Sequence, residues 1–332
     1  MDPITRDRLF GYWHAFDHPV SACVSIAVAA IVILAFIGVL VATGAGGDEG
    51  RRKELRQRTV SWLVLAPLIV VPILLGAAWT VGAVGLLSLL CYREYARASG
   101  LFREKLVSLI VVLGILAVTF AVIDHWYGLF MALGPLTIAV MAAVSILPDR
   151  PEGYVQRVAL GVFAFAMFGV GLGHLGYMAN DADFRPILLM LLVSVEMNDV
   201  FAYLVGRTIG RRRLCPRTSP NKTLGGALGA VVLTTPLVAI LGHFVFAGGP
   251  MDRIHHLVAL GLIISVGGQL GDLMLSSIKR DIGIKDTGVT IPGHGGLLDR
   301  FDSLLLVAPA VFHYIGYLRG IGLDQPARII TG

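Results

Sequence analysis

Charge is scarce in this 332-residue chain: Asp, Glu, Lys and Arg together make up only 15% of it, while 56% is hydrophobic. A soluble domain of this size carries nearer a quarter of its residues charged, so a water-soluble globule with an ordinary surface is excluded. Cysteine is nearly absent as well. Cys23, Cys91 and Cys215 form no paired or metal-ligand spacing, which removes a disulfide scaffold, a zinc site and thiol redox chemistry. No low-complexity tract, long linker or internal repeat breaks the chain. What is plentiful is apolar sequence in runs long enough to cross a bilayer, and the mean hydropathy is +0.78.

Ten candidate spans cover roughly 19–43, 59–75, 77–92, 106–123, 129–147, 158–178, 187–205, 225–247, 257–275 and 303–318. The expected fold is an all-α integral membrane protein, a polytopic bundle of nine to ten transmembrane helices. Only a tight Gly/Trp break separates the two spans between 59 and 92, so one of that pair is open to a re-entrant reading. Lys and Arg fall unevenly across alternate loops. Loops 44–58, 93–105, 148–157, 206–224 and 276–302 hold 21, and the other side holds 6. By the positive-inside rule these basic loops face the cytoplasm of the cytoplasmic membrane, and both termini lie on the outer side. A cleaved signal peptide ending near Ala42-Thr43-Gly44 is disfavoured, because cleavage would strand Arg51, Arg52, Lys53, Arg56 and Arg58 on the outer side.

Polar chemistry is unevenly spread. Residues 1–185 read as an N-terminal transmembrane region with basic cytoplasmic loops. Residues 186–322 read as a catalytic transmembrane region with motif loops 206–224 and 276–302, followed by a short tail, 323–332. Between Ser276 and Asp302 four bases (Lys279, Arg280, Lys285, Arg300), four aspartates (Asp281, Asp286, Asp299, Asp302), His294 and five glycines crowd together. Bases beside backbone-exposing glycines suit phosphates, and closely spaced aspartates suit a hard cation. The bland alternative for Asp299 and Asp302 is a favourable charge at a helix N-terminus.

Upstream, Glu196, Asp199 and Tyr203 recur at i, i+3 and i+7 and so share one face of a helix. Carboxylates inside a span face a cavity, a partner or an ion, the structural alternative being a pair with Arg207. After that helix, Ser219, Pro220 and Asn221 read as a turn leading through Lys222 and Thr223 into the next span. Such a turn can offer amides, a lysine and hydroxyls to a phosphate. Asp272 and Ser276 share a face at the end of the ninth span. Glu94, beside Arg93 and Arg97, reads as an interfacial ion pair. His255 and His256 receive no role.

The run Ser276-x-Ile278-Lys279-Arg280, Lys285-Asp286-x-Gly288, Ile291-Pro292-x-His294-Gly295-Gly296-Leu297-x-Asp299-Arg300-Phe301-Asp302 resembles the phosphatidate cytidylyltransferase (CDP-diacylglycerol synthase) family over 27 residues. Asp199-x-x-Ala202-Tyr203-x-x-Gly206-Arg207-x-x-Gly210, Ser219-Pro220-Asn221-Lys222-Thr223 and Gly271-Asp272-Leu273 extend the likeness. Before residue 190 it is architectural only. One departure is Gly225-Gly226, where the family usually carries a glutamate and a glycine.

The resemblance implies a nucleotidyltransferase of phospholipid biosynthesis joining CTP to phosphatidic acid with Mg²⁺, a second cation being an open alternative. The lipid phosphate is expected to attack the CTP α-phosphorus directly. By that likeness Asp272, Asp299, Lys279, Arg280 and His294 are the catalytic candidates, and Asp272 and Asp299 are also those for the metal. Asp199, Tyr203, Ser219, Asn221, Lys222, Thr223, Ser276, Lys285, Asp286, Arg300 and Asp302 are candidates for substrate binding. No nucleic-acid partner is expected, and a homodimer is an expectation carried from the family. The competing readings are an enzyme acting on another lipid phosphate, an ion-coupled transporter using Glu196, Asp199 and Asp272, and a non-catalytic scaffold. The absence of paired repeats counts against the transporter, and the intact aspartates count against the scaffold.

Overall fold

A computed structural model describes residues 3–44, 49–288, 290–291, 295–321 and 328–332. The chain folds as a helical bundle. After α1 (Pro3–Phe10), long helices follow: α2 (Pro19–Gly44), α3 (Glu49–Leu75), α4 (Ala77–Ser99), α5 (Lys105–Ile123) and α6 (Tyr127–Val144). The next crossing joins α7 (Tyr154–Ala164), a π-helical stretch Phe165–Gly171, α8 (Leu172–Tyr177) and a 3₁₀ turn. Then come α9 (Phe184–Ile209), α10 (Leu224–Val245), α11 (Ile254–Asp281), the short α12 (Leu298–Phe301) and α13 (Leu304–Arg319).

Nine crossings among the described residues are long and apolar enough to span a membrane, and α4 is not one of them. Its ends settle its course. Gly76, at φ +137°, breaks the chain between α3 and α4, and a Cβ there would run into the backbone carbonyl of Leu9 near the N-terminus. Only glycine takes that backbone region freely. At the other end Glu94 binds the loop that leads into α12. Twenty-three residues of helix rise about 35 Å, so α4 traverses the bundle as a tenth crossing and is not re-entrant. Its lower apolar content follows from its position. Thr80, Ser88, Cys91 and Tyr95 are buried against other helices, where lipid makes no demand on them.

Polar contacts sort the loops onto two faces. On one, Arg185 donates to the Gly11 carbonyl (2.8 Å) and Arg8 to that of Asn180 (3.0 Å). Arg319 there pairs with Asp181 (2.9 Å) and Asp183 (2.7 Å). The C-terminal Ile330 and Thr331 bind Asp124, in the α5–α6 connection, on that same face. The opposite face carries the motif loops, with Arg157 beside Glu104 (3.7 Å). The loop pairs grouped by their Lys and Arg content thus touch one another.

A two-stranded antiparallel hairpin, β1 (Arg213–Cys215) and β2 (Ser219–Thr223), projects between α9 and α10. The sequence reading of Ser219-Pro220-Asn221 as a turn is corrected here. Those residues lie in β2, and the reversal is made by Pro216, Arg217 and Thr218. Pairing the strands satisfies backbone groups that a looser loop would leave to solvent. Thr223 then caps α10, its hydroxyl accepting from the Gly226 amide at 3.1 Å.

Candidate active site

The site forms where the hairpin, the C-terminal half of α11 and the loop into α12 meet. On α11, Asp272, Ser276 and Lys279 recur at i, i+4 and i+7 and therefore present one stripe. The Ser276 hydroxyl donates to Asp272 Oδ1 (3.1 Å), and Asp272 Oδ2 is paired with Lys222 Nζ from β2. Lys279 Nζ reaches Asp299 Oδ1 at 2.7 Å. Both partners of that pair are buried, with side-chain exposures of 11% and 5%, so neither charge can be left unpaired cheaply.

Asp299 organises the loop before it. Its Oδ2 accepts from the Thr287 amide (2.9 Å), the Thr287 hydroxyl (3.0 Å) and the Gly296 amide (3.0 Å). Arg280 stitches the hairpin to the same region, donating to the Thr218 carbonyl (3.2 Å) and the Ile284 carbonyl (3.0 Å). Asp302 is buried one turn after Asp299, with Oδ1 on the Ser303 amide (2.7 Å). A side chain at Gly271 would strike the Asp302 carbonyl (2.6 Å), so Gly271 allows α11 to approach the start of α13.

Charges from three helices converge beyond these bonds. Asp302 interacts through space with Asp272, Asp199 and Lys279, and Asp199 with Asp272, Lys222 and Arg300. Glu196 adds its field to Asp199 and Arg300. Glu196, Asp199, Asp272, Asp299 and Asp302 thus share this region with Lys222, Lys279 and Arg300. No preassembled group of three or more His, Cys, Asp or Glu ligands exists among the described residues. Mg²⁺ does not need one, because it keeps several waters and takes one or two carboxylates together with substrate phosphates. The oxygen donors here fit that ion.

Not every candidate joins the cluster. Tyr203 is exposed, and its hydroxyl accepts from Arg207 (3.3 Å). Asn221, Lys285 and Asp286 are exposed and Ser219 half-buried, and no hydrogen bond ties their side chains to the carboxylates. The Thr223 hydroxyl is engaged as a helix cap. His294 lies outside the described residues. Gly225, where a glutamate was expected, sits against the end of α9, and a Cβ there would be 3.2 Å from Gly210 Cα.

Two residues matter more than the sequence signalled. Glu94, read as an interfacial ion pair, instead takes the Leu297 amide (3.0 Å), the Leu298 amide (2.8 Å) and the Thr290 hydroxyl (2.5 Å). It caps α12 and fixes the loop carrying Gly295 and Gly296. Asn198, fully buried, accepts from Ser265 (2.6 Å) and Thr234 (3.1 Å) and so ties α9, α10 and α11 together beneath the site.

A profile described as the cytidylyltransferase family matches residues 56–318. An uncharacterized protein, YnbB, of Escherichia coli strain K12 is 33% identical over 276 residues, covering 81% of this chain and 89% of its own. A phosphatidate cytidylyltransferase of Staphylococcus haemolyticus is 31% identical over 77% of this chain and 96% of its own. That of Bacillus subtilis strain 168 is 30% identical over 78% and 97%.

Proposed function

Because this chain belongs to the cytidylyltransferase family, we propose that it transfers the cytidylyl group of CTP to phosphatidic acid, yielding CDP-diacylglycerol and pyrophosphate. The names of the Staphylococcus and Bacillus relatives support this choice of lipid. The observation that carries it is the pair of lysine–carboxylate contacts, the half-buried Lys222–Asp272 and the buried Lys279–Asp299, on one face of the bundle.

A non-bridging oxygen of the lipid phosphate attacks the α-phosphorus, and the bond from that phosphorus to the α–β bridging oxygen breaks as pyrophosphate leaves. The reactants are both anions, so the protein's task is positioning and neutralisation. Lys222 and Lys279, held by carboxylates in the resting site, turn to the triphosphate when it enters. Asp272 and Asp299 are thereby released, and they are the residues that would hold Mg²⁺, with Asp199 and Asp302 in support. When bound, that ion would draw charge from the phosphoryl oxygens and the leaving pyrophosphate. Arg300 faces the lipid phosphate, and Arg280 holds the hairpin in register. His294 is a candidate hydrogen-bond donor to a phosphoryl oxygen. The basic loops on the motif face argue for a cytoplasmic site, where CTP is found and the lipid can stay in its leaflet.

The test is formation of CDP-diacylglycerol by purified protein from labelled CTP and phosphatidic acid, with and without Mg²⁺. Asp299→Ala and Asp272→Asn should each lower turnover by about 10²-fold or more, the scale for removing one preorganised electrostatic group. Well-folded wild-type protein that forms no cytidylylated lipid would overturn the reading.

A further inference from the structure

A cavity of about 530 Å³ lies between α2, α3 and α9, within the size range of sites that take small organic ligands. Its wall is almost wholly apolar, contributed by residues such as Val28 and Val32 of α2, Trp62 and Ile69 of α3, and Leu192 of α9. Three charges enter it: Arg58, Glu196 and Arg300. Helix order puts these at one end. On α9 the lining begins at Leu189 and finishes at Val200, running toward the motif face, while on α2 it runs the same way from Val24 to Ala35. α3 returns in the opposite sense, with Val70 at the deep end and Arg58 at the shallow one.

Eleven residues of helix rise about 17 Å, close to half the ~30 Å hydrocarbon core of a bilayer. The groove therefore has the depth of one leaflet. Its guanidinium groups sit at the motif end, and Arg300 also belongs to the site. It opens sideways, since Ile31 and Val200 on its rim are exposed. An apolar slot one leaflet deep, open to the bilayer and ending in two arginines against one glutamate, fits the acyl chains of an anionic phospholipid. Charge and depth together disfavour a partner helix, which would run through both leaflets.

The wall supplied by α2 stands apart from the rest. The family profile begins at residue 56, so Pro19–Gly44 lies wholly ahead of it. We propose that α2 is the specificity wall of this enzyme's lipid site: Val24, Val28 and Val32 contact the acyl chain whose phosphate rests on Arg58 and Arg300, and so set which chains are accepted. This rests on the phosphatidate reading above. Val24, Val28 and Val32 fall at i, i+4 and i+8, on the face of α2 turned to the groove. That helix is the least covered of the candidate spans, with 6% of its apolar window buried.

Val28→Trp fills the groove midway, below the reach of short chains and within that of long ones. In full-length protein in mixed micelles, dioleoyl and dioctanoyl phosphatidate are compared with CTP held constant. The expected result is a rise in KM for the dioleoyl lipid of about ten-fold or more, on the scale at which pockets resolve apolar bulk. Turnover of the dioctanoyl lipid and KM for CTP stay unchanged. Equal effects on both lipids with activity retained, or no effect, would overturn the proposal.

A second measurement needs no variant. Phosphatidate with a diazirine on its acyl chain is photolysed with the wild-type protein. Labelling at Val28 and Val32 above that at the outward Ile33 and Leu34, suppressed by excess dioleoyl phosphatidate but not by phosphatidylcholine, supports the groove. Turnover without such labelling rejects the groove and leaves the reaction standing. Labelling without any CTP-dependent product does the reverse. If Val28→Trp fails on both lipids, the wild-type labelling decides.

Discussion

Asp299 shows how much one carboxylate can hold. It accepts one lysine, one hydroxyl and two amides, and three of those four donors come from the loop 287–296. Asp299→Asn keeps the shape but converts an acceptor into a donor and weakens every charge-assisted bond, so loop order and turnover should fall together. Glu94 acts on the same loop from 203 residues away in sequence. Glu94→Ala leaves the buried Leu297 and Leu298 amides without an acceptor, at about 1–3 kcal/mol for each group so stranded. The expected outcome is a lower melting temperature and a turnover reduced ten-fold or more. Glu94→Gln, which retains one carbonyl acceptor, should recover part of both in parallel thermal and activity assays.

Legibility at this scale divided along sequence distance. Asp272, Ser276 and Lys279 could be placed on one stripe because helical spacing is a local property. The convergence of Asp199 with Asp272, and the capping role of Glu94, could not, because their partners are brought together only by the packing of separate helices.

Among elements, the junction of α9 and α10 is set by glycine. A Cβ on Gly226 would approach the Ala202 carbonyl to 2.5 Å and Gly206 Cα to 3.0 Å, both backbone, whereas one on Gly225 would stand 3.2 Å from Gly210 Cα. Gly226→Ala should therefore force the helices apart and cost about 1–3 kcal/mol, the usual scale of overpacking. Gly225→Ala needs a shift of only a few tenths of an ångström and should be the milder of the two. Parallel thermal unfolding of the two variants checks the ranking.

The C-terminal strap is a second element with a readable signature. Burial pushes the Asp124 carboxyl up, but the Thr331 hydroxyl, the Ile330 and Thr331 amides and Arg328 together hold it below the ordinary carboxylate range. A depressed folded-state pKa contributes stability that is present above the unfolded value of about 3.9. That stability is lost as pH falls through the folded value. Docking of the tail should thus be intact at neutral pH and released in acid below about pH 4. Protease access to the tail, followed against pH, checks this. Asp124→Asn should leave the tail accessible at neutral pH and remove the acid dependence.

For the whole molecule, the ten crossings and the two-faced sorting of polar contacts give one topology with two orientations, and the proposal is the one that puts the basic loops in the cytoplasm. Cys215, in the hairpin on the motif face, should react with a membrane-impermeant maleimide in inside-out vesicles and stay unlabelled in intact cells once Cys23 is replaced by serine. Cys91 is fully buried and should be silent in both. The reverse pattern would invert the bundle and remove the site from its CTP.

The sequence by itself determined the solvent, the grouping of loops and the motif residues, and it bounded the crossings at nine to ten. Hydropathy, charge bias and helical spacing are local or additive properties that survive without a fold. Tertiary structure decided the rest: that α4 crosses despite its modest hydropathy, that residues 213–223 pair as a hairpin, and that lysines and carboxylates from α11, the hairpin and the α12 loop meet. It also decided that α2 closes an apolar groove beside them. Those outcomes depend on which helix faces shield one another from lipid, a choice made by packing across hundreds of residues, and no window of sequence contains it.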